Sequence, residues 1–148
     1  MSDITLKDLR EEWKSDCVIN KEKANDEILR IPALHSKYMC YMSECKIMYS
    51  ETLFNLQKLC GDKREYYSGL TSKEKLEKMG WKPFKLRLAK TDIQPYIDAD
   101  DDVIQLKKRL TYYEEMKDFC ESIIKELQNR TWQIREYLTH ERYLNGSR

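Results

Sequence analysis

Residues 101–145 read DDVIQLKKRLTYYEEMKDFCESIIKELQNRTWQIREYLTHERYLN, and this stretch decides the fold. Val103, Leu106, Leu110, Tyr113, Lys117, Cys120, Ile124, Leu127, Thr131, Ile134 and Leu138 recur at alternating spacings of three and four, which on a helix makes one seam. Asp98, Asp100, Asp101 and Asp102 precede it, where carboxylates complement the positive end of a helix dipole, and Asn145-Gly146 supplies a C-terminal stop. The pattern predicts a single helix about 60 Å long at 1.5 Å per residue. A rod of that length outreaches what the rest of a small domain covers, so its apolar face is expected to meet another subunit. The alternative is packing within the chain against a helix that begins near Pro32. Lys117 and Thr131, polar within the seam, fix its register or mark where it opens.

Working back toward the N-terminus, Phe84, Leu86 and Leu88 alternate with Lys85, Arg87 and Ala89, a period of two that suits a short extended segment over residues 83–89, or an extended loop. Thr71-Ser72-Lys73-Glu74 has capping-box form and, with Leu76, Met79 and the stop at Gly80, predicts a short helix. Leu34, Tyr38, Tyr41, Cys45, Met48, Thr52, Leu56 and Leu59 form a second stripe, predicting a long helix that continues past Gly61 to Tyr67 and stops at Ser68-Gly69. Ahead of it, Asn20 caps a helix holding Ala24, Ile28 and Ile31, which Pro32 is expected to end or restart. Thr5-Leu6-Lys7-Asp8 is a capping box opening a short amphipathic helix with Leu6, Leu9 and Trp13.

With only four Gly and three Pro in 148 residues, the expected class is all-α: a helical protomer with a long C-terminal helix. One helical domain is expected over residues 1–148, divided into N-terminal helices (1–69), a connecting region (70–100) and a long oligomerisation helix (101–145). Charged residues form 36% of the chain and mean hydropathy is -0.80. Burial between subunits is therefore expected to supplement a limited core. Met1-Ser2-Asp3 opens no apolar run of signal-peptide length and no stretch approaches the roughly 20 apolar residues of a membrane span, so a soluble, cytoplasmic protein is expected.

The motifs of several enzyme classes are missing: there is no GxxxxGK[ST], GxGxxG or HExxH, and His35 and His140 lie far apart, so no catalytic residue and no cofactor is expected. Cys17, Cys40, Cys45, Cys60 and Cys120 are odd in number and contain no CxxC, which favours free thiols over a disulfide framework or a zinc site. His35, Cys40 and Cys45 point to rotating faces of one helix, and no metal is expected there. Asp98, Asp100 and Asp102 imitate the start of a calcium loop, but Val103 replaces its turn glycine and Arg109 its bidentate glutamate, so helix capping explains them better.

Charge is informative locally. The net charge is only +1, yet residues 61–90 hold nine basic side chains (Lys63, Arg64, Lys73, Lys75, Lys78, Lys82, Lys85, Arg87, Lys90) against four acidic ones (Asp62, Glu65, Glu74, Glu77), an excess of five. Tyr66, Tyr67, Trp81 and Phe84 are interleaved with them. Cations that track phosphates beside aromatic faces that stack on bases are what a single-strand binder uses, although solvated lysines beside core aromatics give the same pattern. A helical coiled-coil scaffold that binds only proteins is the alternative.

Lys63-Arg64-Glu65-Tyr66-Tyr67-Ser68-Gly69 resembles the basic, acidic, Tyr-Tyr-Ser-Gly segment of UvsY recombination mediators of T-even-like bacteriophages. Further short segments resemble that family in order and spacing: Asp8 to Asp16, Ile31 to Tyr38, Asp118-Phe119-Cys120-Glu121-Ser122, and Glu141-Arg142-Tyr143-Leu144-Asn145-Gly146. The resemblance implies a non-enzymatic, ring-like homo-oligomer, a hexamer or heptamer assembled through its C-terminal region. It would bind single-stranded DNA in the cytoplasm of the infected bacterial host and load a UvsX-like phage recombinase onto strands covered by the phage single-strand binding protein. It also implies DNA contact at Lys63, with Arg64 and Lys58 as substitutes because a second basic position of the family falls on Gly61, and a less direct role for Tyr66 and Tyr67. Val103, Leu106, Leu110, Tyr113, Ile124, Leu127, Ile134 and Leu138 are the expected oligomerisation residues. Lys63→Glu with Arg64→Glu is expected to weaken strand binding without dissociating the oligomer.

Overall fold

The computed structural model describes residues 4–146; the opening Met1-Ser2-Asp3 lies outside the described residues. Five helices follow in order: α1 (Leu6–Asp16), α2 (Ala24–Tyr67), α3 (Lys73–Met79), α4 (Lys90–Asp98) and α5 (Asp101–Leu144), with a 3-10 turn at Lys21–Lys23 before α2. No strand occurs among the described residues. The chain forms two compact units, residues 1–47 with 112–148, and residues 48–111. This division cuts across the linear one into 1–69, 70–100 and 101–145, because both long helices contribute to each unit.

In the first unit, the capping box of α1 is complete. Thr5 Oγ1 accepts from the Asp8 N–H (3.1 Å) and Asp8 Oδ2 accepts from the Thr5 N–H (3.0 Å), so two otherwise orphaned donors are satisfied. The apolar face of α1 is buried at Leu9, with Cys45, Met116 and Cys120, and Trp13 packs on a neighbouring cluster of Leu34, Tyr38, Ile123, Ile124 and Leu127. The C-terminal end of α1 is capped from a distance. Arg130, only 3% exposed, donates to the Cys17 carbonyl (2.9 Å) and the Asp16 carbonyl (3.3 Å) and lies over the Trp13 ring. A guanidinium suits that position because it answers both the free carbonyls and the negative end of the helix dipole.

α2 does not break at Pro32 as the sequence suggested. A proline removes one N–H and crowds the preceding turn, at a cost of about 3 kcal/mol. Here the helix is held on both sides of it, by burial of Ala24 and Glu27 before and of Leu34 and Tyr38 after, while Pro32 itself stays exposed.

In the second unit, α2 ends as expected. Gly69 has φ +75°, its N–H reaches the Tyr66 carbonyl and that of Leu70 the Glu65 carbonyl, a Schellman closure. The N-cap of α3 is Ser72, one residue later than the box beginning at Thr71 required, so Lys75 rather than Glu74 occupies the third helical position. The same Schellman geometry recurs at Gly80 (φ +71°), where the Trp81 N–H returns to the Leu76 carbonyl and turns the chain sharply. Residues 81–89 are irregular and form no strand: Phe84 and Leu88 are half-buried, but Leu86 is 60% exposed, so the period-two face is interrupted. The connecting region also contains a helix that the sequence reading missed, α4, with Pro95 inside it and Ile97 fully buried against Leu56 and Val103.

Candidate nucleic-acid interface

Residues 58–102 concentrate the charged and aromatic side chains singled out above, and the structure sorts them into two groups. Lys63 belongs to the buried one. It lies seven residues beyond Leu56 and four beyond Leu59, so it continues the apolar stripe of α2 and is only 4% exposed. Its ammonium sits 3.0 Å from Asp100 Oδ2 and 3.0 Å from Asp102 Oδ2. It also lies 3.9 Å from the centroid of the Trp81 ring and 5.4 Å from that of Tyr66.

Asp100 joins α2 to α5. Its Oδ1 caps α5 by accepting from the N–H groups of Asp102 (2.9 Å) and Val103 (3.2 Å), while its Oδ2 accepts from the Tyr67 hydroxyl (2.6 Å) as well as from Lys63. Burial pushes the Asp100 carboxyl up, but the Tyr67 and Lys63 hydrogen bonds, with that of the Val103 N–H, outweigh it and hold the group below the ordinary aspartate value. The same contact raises the Tyr67 phenol: burial first, then donation to a carboxylate, both favour its neutral form. The capping role read from the aspartate run is thus made by Asp100, which in addition neutralises a lysine 37 positions earlier in the chain.

The aromatic side chains form one cluster. Tyr66 and Tyr67 meet edge to face at 5.1 Å, Trp81 lies 5.2 Å from Tyr66, Phe84 5.0 Å from Tyr67, and Tyr96, which the sequence reading did not single out, 5.5 Å from Tyr67. Tyr66 donates its hydroxyl to the Lys82 carbonyl (2.6 Å). These contacts hold the start of the irregular segment against the end of α2. In this arrangement the Tyr66 and Tyr67 rings face other rings.

The second group faces solvent. Lys58 is exposed, and Arg64 is exposed with its guanidinium on the Gln94 side-chain carbonyl (2.8 Å). Of the nine basic residues in 61–90, Lys63 and Lys75 form ion pairs; Lys75 meets Asp62 at 2.9 Å and Glu65 at 3.5 Å, fastening α3 to α2. The other seven, Arg64, Lys73, Lys78, Lys82, Lys85, Arg87 and Lys90, are all exposed and make no ion pair among the described residues. Gly61 is exposed on α2 with no atom near its would-be Cβ.

The expected oligomerisation seam is used largely within the chain. Val103 is buried with Leu56 and Ile97, Ile124 and Leu127 with Leu34 and Tyr38, and Ile134 is 3% exposed; Leu106, Leu110, Tyr113 and Leu138 are half-buried. Met116, Ile123 and Arg130, off the strict three-four register, are buried as well, so the covered face of α5 is broader than a coiled-coil seam. Large apolar side chains left exposed include Leu29, Phe54, Trp132, Tyr143 and Leu144.

Comparison with known proteins bears on what this surface does. The model of a family described as "Recombination, repair and ssDNA binding protein UvsY" matches residues 12–147. Recombination protein uvsY of Enterobacteria phage T4 is 25% identical over 130 residues, 88% of this chain and 90% of that protein. Two crystal structures of the bacteriophage T4 recombination mediator protein UvsY superpose with TM-scores of 0.83 and 0.80 at 23% identity. They cover 96% and 92% of this chain, and 98% of theirs in each case. At that identity the superposition establishes the shared helical fold.

Proposed function

From membership of the UvsY family of recombination, repair and single-stranded-DNA-binding proteins, to which this chain belongs, we propose that it is a non-enzymatic recombination mediator. It binds single-stranded DNA as a homo-oligomer, a hexamer or heptamer, and promotes loading of a UvsX-like phage recombinase onto strands covered by the phage single-strand binding protein, within the infected host's cytoplasm. The observation that supports this reading best is the set of seven exposed basic side chains without carboxylate partners within residues 61–90. Unpaired cations release the counterions condensed on a nucleic acid when they meet its phosphates, and an oligomer multiplies the effect by its subunit number.

In this reading Lys58 and Arg64 contact phosphates directly. Lys63 contributes by holding Trp81 and the start of α5 in place, and its ammonium reaches a phosphate only if Asp100 and Asp102 release it. Tyr66 and Tyr67 support the surface from beneath. Self-association uses the half-buried Leu106, Leu110, Tyr113 and Leu138 together with the exposed Trp132, Tyr143 and Leu144 in the C-terminal region. Val103, Ile124, Leu127 and Ile134 keep α5 in shape beneath that surface. The mechanism is differential binding: a basic multi-subunit surface favours a strand conformation that the covering protein holds less well and the recombinase holds better.

The test is fluorescence anisotropy of a labelled single-stranded oligonucleotide across a salt series, with the oligomer's mass measured in the same buffers, followed by recombinase loading on a strand precoated with single-strand binding protein. Binding that falls steeply with salt at constant multimeric mass, with faster loading, is expected. An intact oligomer that binds no strand at low salt would refute the reading and favour a protein-only scaffold.

A further inference from the structure

Residues 81–90, WKPFKLRLAK, contain four basic side chains and no acidic one. Lys82, Lys85, Arg87 and Lys90 are all exposed and unpaired among the described residues. The segment is nonetheless anchored. Trp81 packs on the Lys63 ammonium and on Tyr66, the Lys82 carbonyl accepts from the Tyr66 hydroxyl, and Phe84 is gripped by Tyr66, Tyr67 and Tyr96 at 5.0–5.9 Å. Pro83, between two of these anchors, fixes one backbone torsion further. A segment anchored through Trp81 and Phe84 keeps its four cations exposed as a row along the chain, so less backbone freedom is lost on binding than in an unanchored loop. Leu86, 60% exposed between Lys85 and Arg87, offers an apolar face beside the row.

Resting on the proposed strand-binding function, we propose that residues 81–90 are the main phosphate-tracking element, with Lys82, Lys85, Arg87 and Lys90 contacting a single DNA strand. The end of α2 is then chiefly the support of this segment, and Arg64 and Lys58 contribute at its margin. The buried Asp100 carboxylate is compensated by Lys63, which also meets the exposed Asp102, so this trio carries one net negative charge against the four cations of the segment.

The experiment compares the unaltered oligomer, Lys85→Gln with Arg87→Gln, the charge-preserving pair Lys85→Arg with Arg87→Lys, and Lys21→Gln with Lys23→Gln as an exposed control elsewhere. Each is titrated against labelled oligo(dT) by anisotropy from low to high salt, with oligomer mass monitored. Single-strand binding loses about 0.7 in the slope of log K against log salt for each phosphate contact removed. The neutralised pair should therefore lower the steepness by about 1.4 per subunit engaged and weaken binding roughly 25-fold at 0.1 M salt, the difference vanishing near 1 M. The charge-preserving pair and the control should keep the unaltered slope. Unaltered binding and slope in the neutralised pair, or an equal loss in the charge-preserving pair, would overturn the assignment while leaving strand binding by the protein intact. Absence of salt-dependent binding by the unaltered protein would overturn both.

Discussion

Replacing Lys63 by Met removes a charge from a network that joins α2, α5 and the segment after α3. Two carboxylates lose a partner, and they are not equivalent. The Asp102 side chain is 60% exposed, so water screens it and its share is below about 1 kcal/mol. The Asp100 side chain is 7% exposed, and leaving a buried charge without its partner costs about 3–5 kcal/mol. Asp100 keeps three donors, the Tyr67 hydroxyl and the N–H groups of Asp102 and Val103, which places the cost at the lower end. Loss of the ammonium over Trp81 adds about 1–2 kcal/mol, much of it offset by a methionine sulfur against the same ring. The expected destabilisation is about 3 kcal/mol, or a melting temperature lower by roughly 6–12 °C for a chain of this size. Urea unfolding followed by circular dichroism would measure it, at fixed protein concentration because the proposed self-association would add to apparent stability. Adding Asp100→Asn to Lys63→Met removes the stranded charge and should recover at least about 1 kcal/mol. A cost under 1 kcal/mol for Lys63→Met, or no recovery in the double variant, would refute the buried ion pair. The same reasoning makes Lys63→Glu with Arg64→Glu a poor probe of strand contact: it places a third carboxylate among two, and the fold should weaken before binding can be read.

Arg130→Ala should destabilise the protein by about 2–4 kcal/mol in the same urea assay, since it uncovers two carbonyls at the end of α1, and Arg130→Lys should restore only part of this because an ammonium lacks the planar fork. Asp100 and Asp16 are both held below the ordinary aspartate value: at Asp16 burial pushes up, but hydrogen bonds from Lys37 and Tyr38 prevail. Groups depressed on folding stabilise at pH values above their unfolded pKa and lose that contribution as pH falls through the folded one, so the urea midpoint should hold steady above about pH 5 and drop below about pH 4. Asp100→Asn and Asp16→Asn should each flatten that acid limb. In thiol titration of the native protein with a disulfide reagent, the exposed Cys40 should react first, Cys17 and Cys60 more slowly, and the buried Cys45 and Cys120 only on unfolding; early modification of Cys120 would contradict its packing with Leu9 and Met116.

Periodicity, capping and turn chemistry act between residues a few positions apart, so the sequence by itself determined the two long helices, the Thr5 capping box, the Gly69 and Gly80 stops and the aspartate cap of α5. It also placed the basic excess in residues 61–90, because composition is local. Where it failed, a distant residue decided the outcome. Pro32 is tolerated inside α2 because buried side chains on both sides hold the helix, and α4 forms despite Pro95 with Ile97 filling a gap beside Leu56 and Val103. Lys63 was legible as a cation on an apolar stripe, seven residues after Leu56, but nothing near it in sequence announces Asp100 or Trp81. Only the tertiary structure brings those groups within 4 Å of its ammonium, withdrawing Lys63 from the solvent-facing set and leaving Lys82, Lys85, Arg87 and Lys90 exposed above it. A charge in sequence has a sign but no partner, and its partner, set by packing, decides whether it meets solvent or is spent inside the fold.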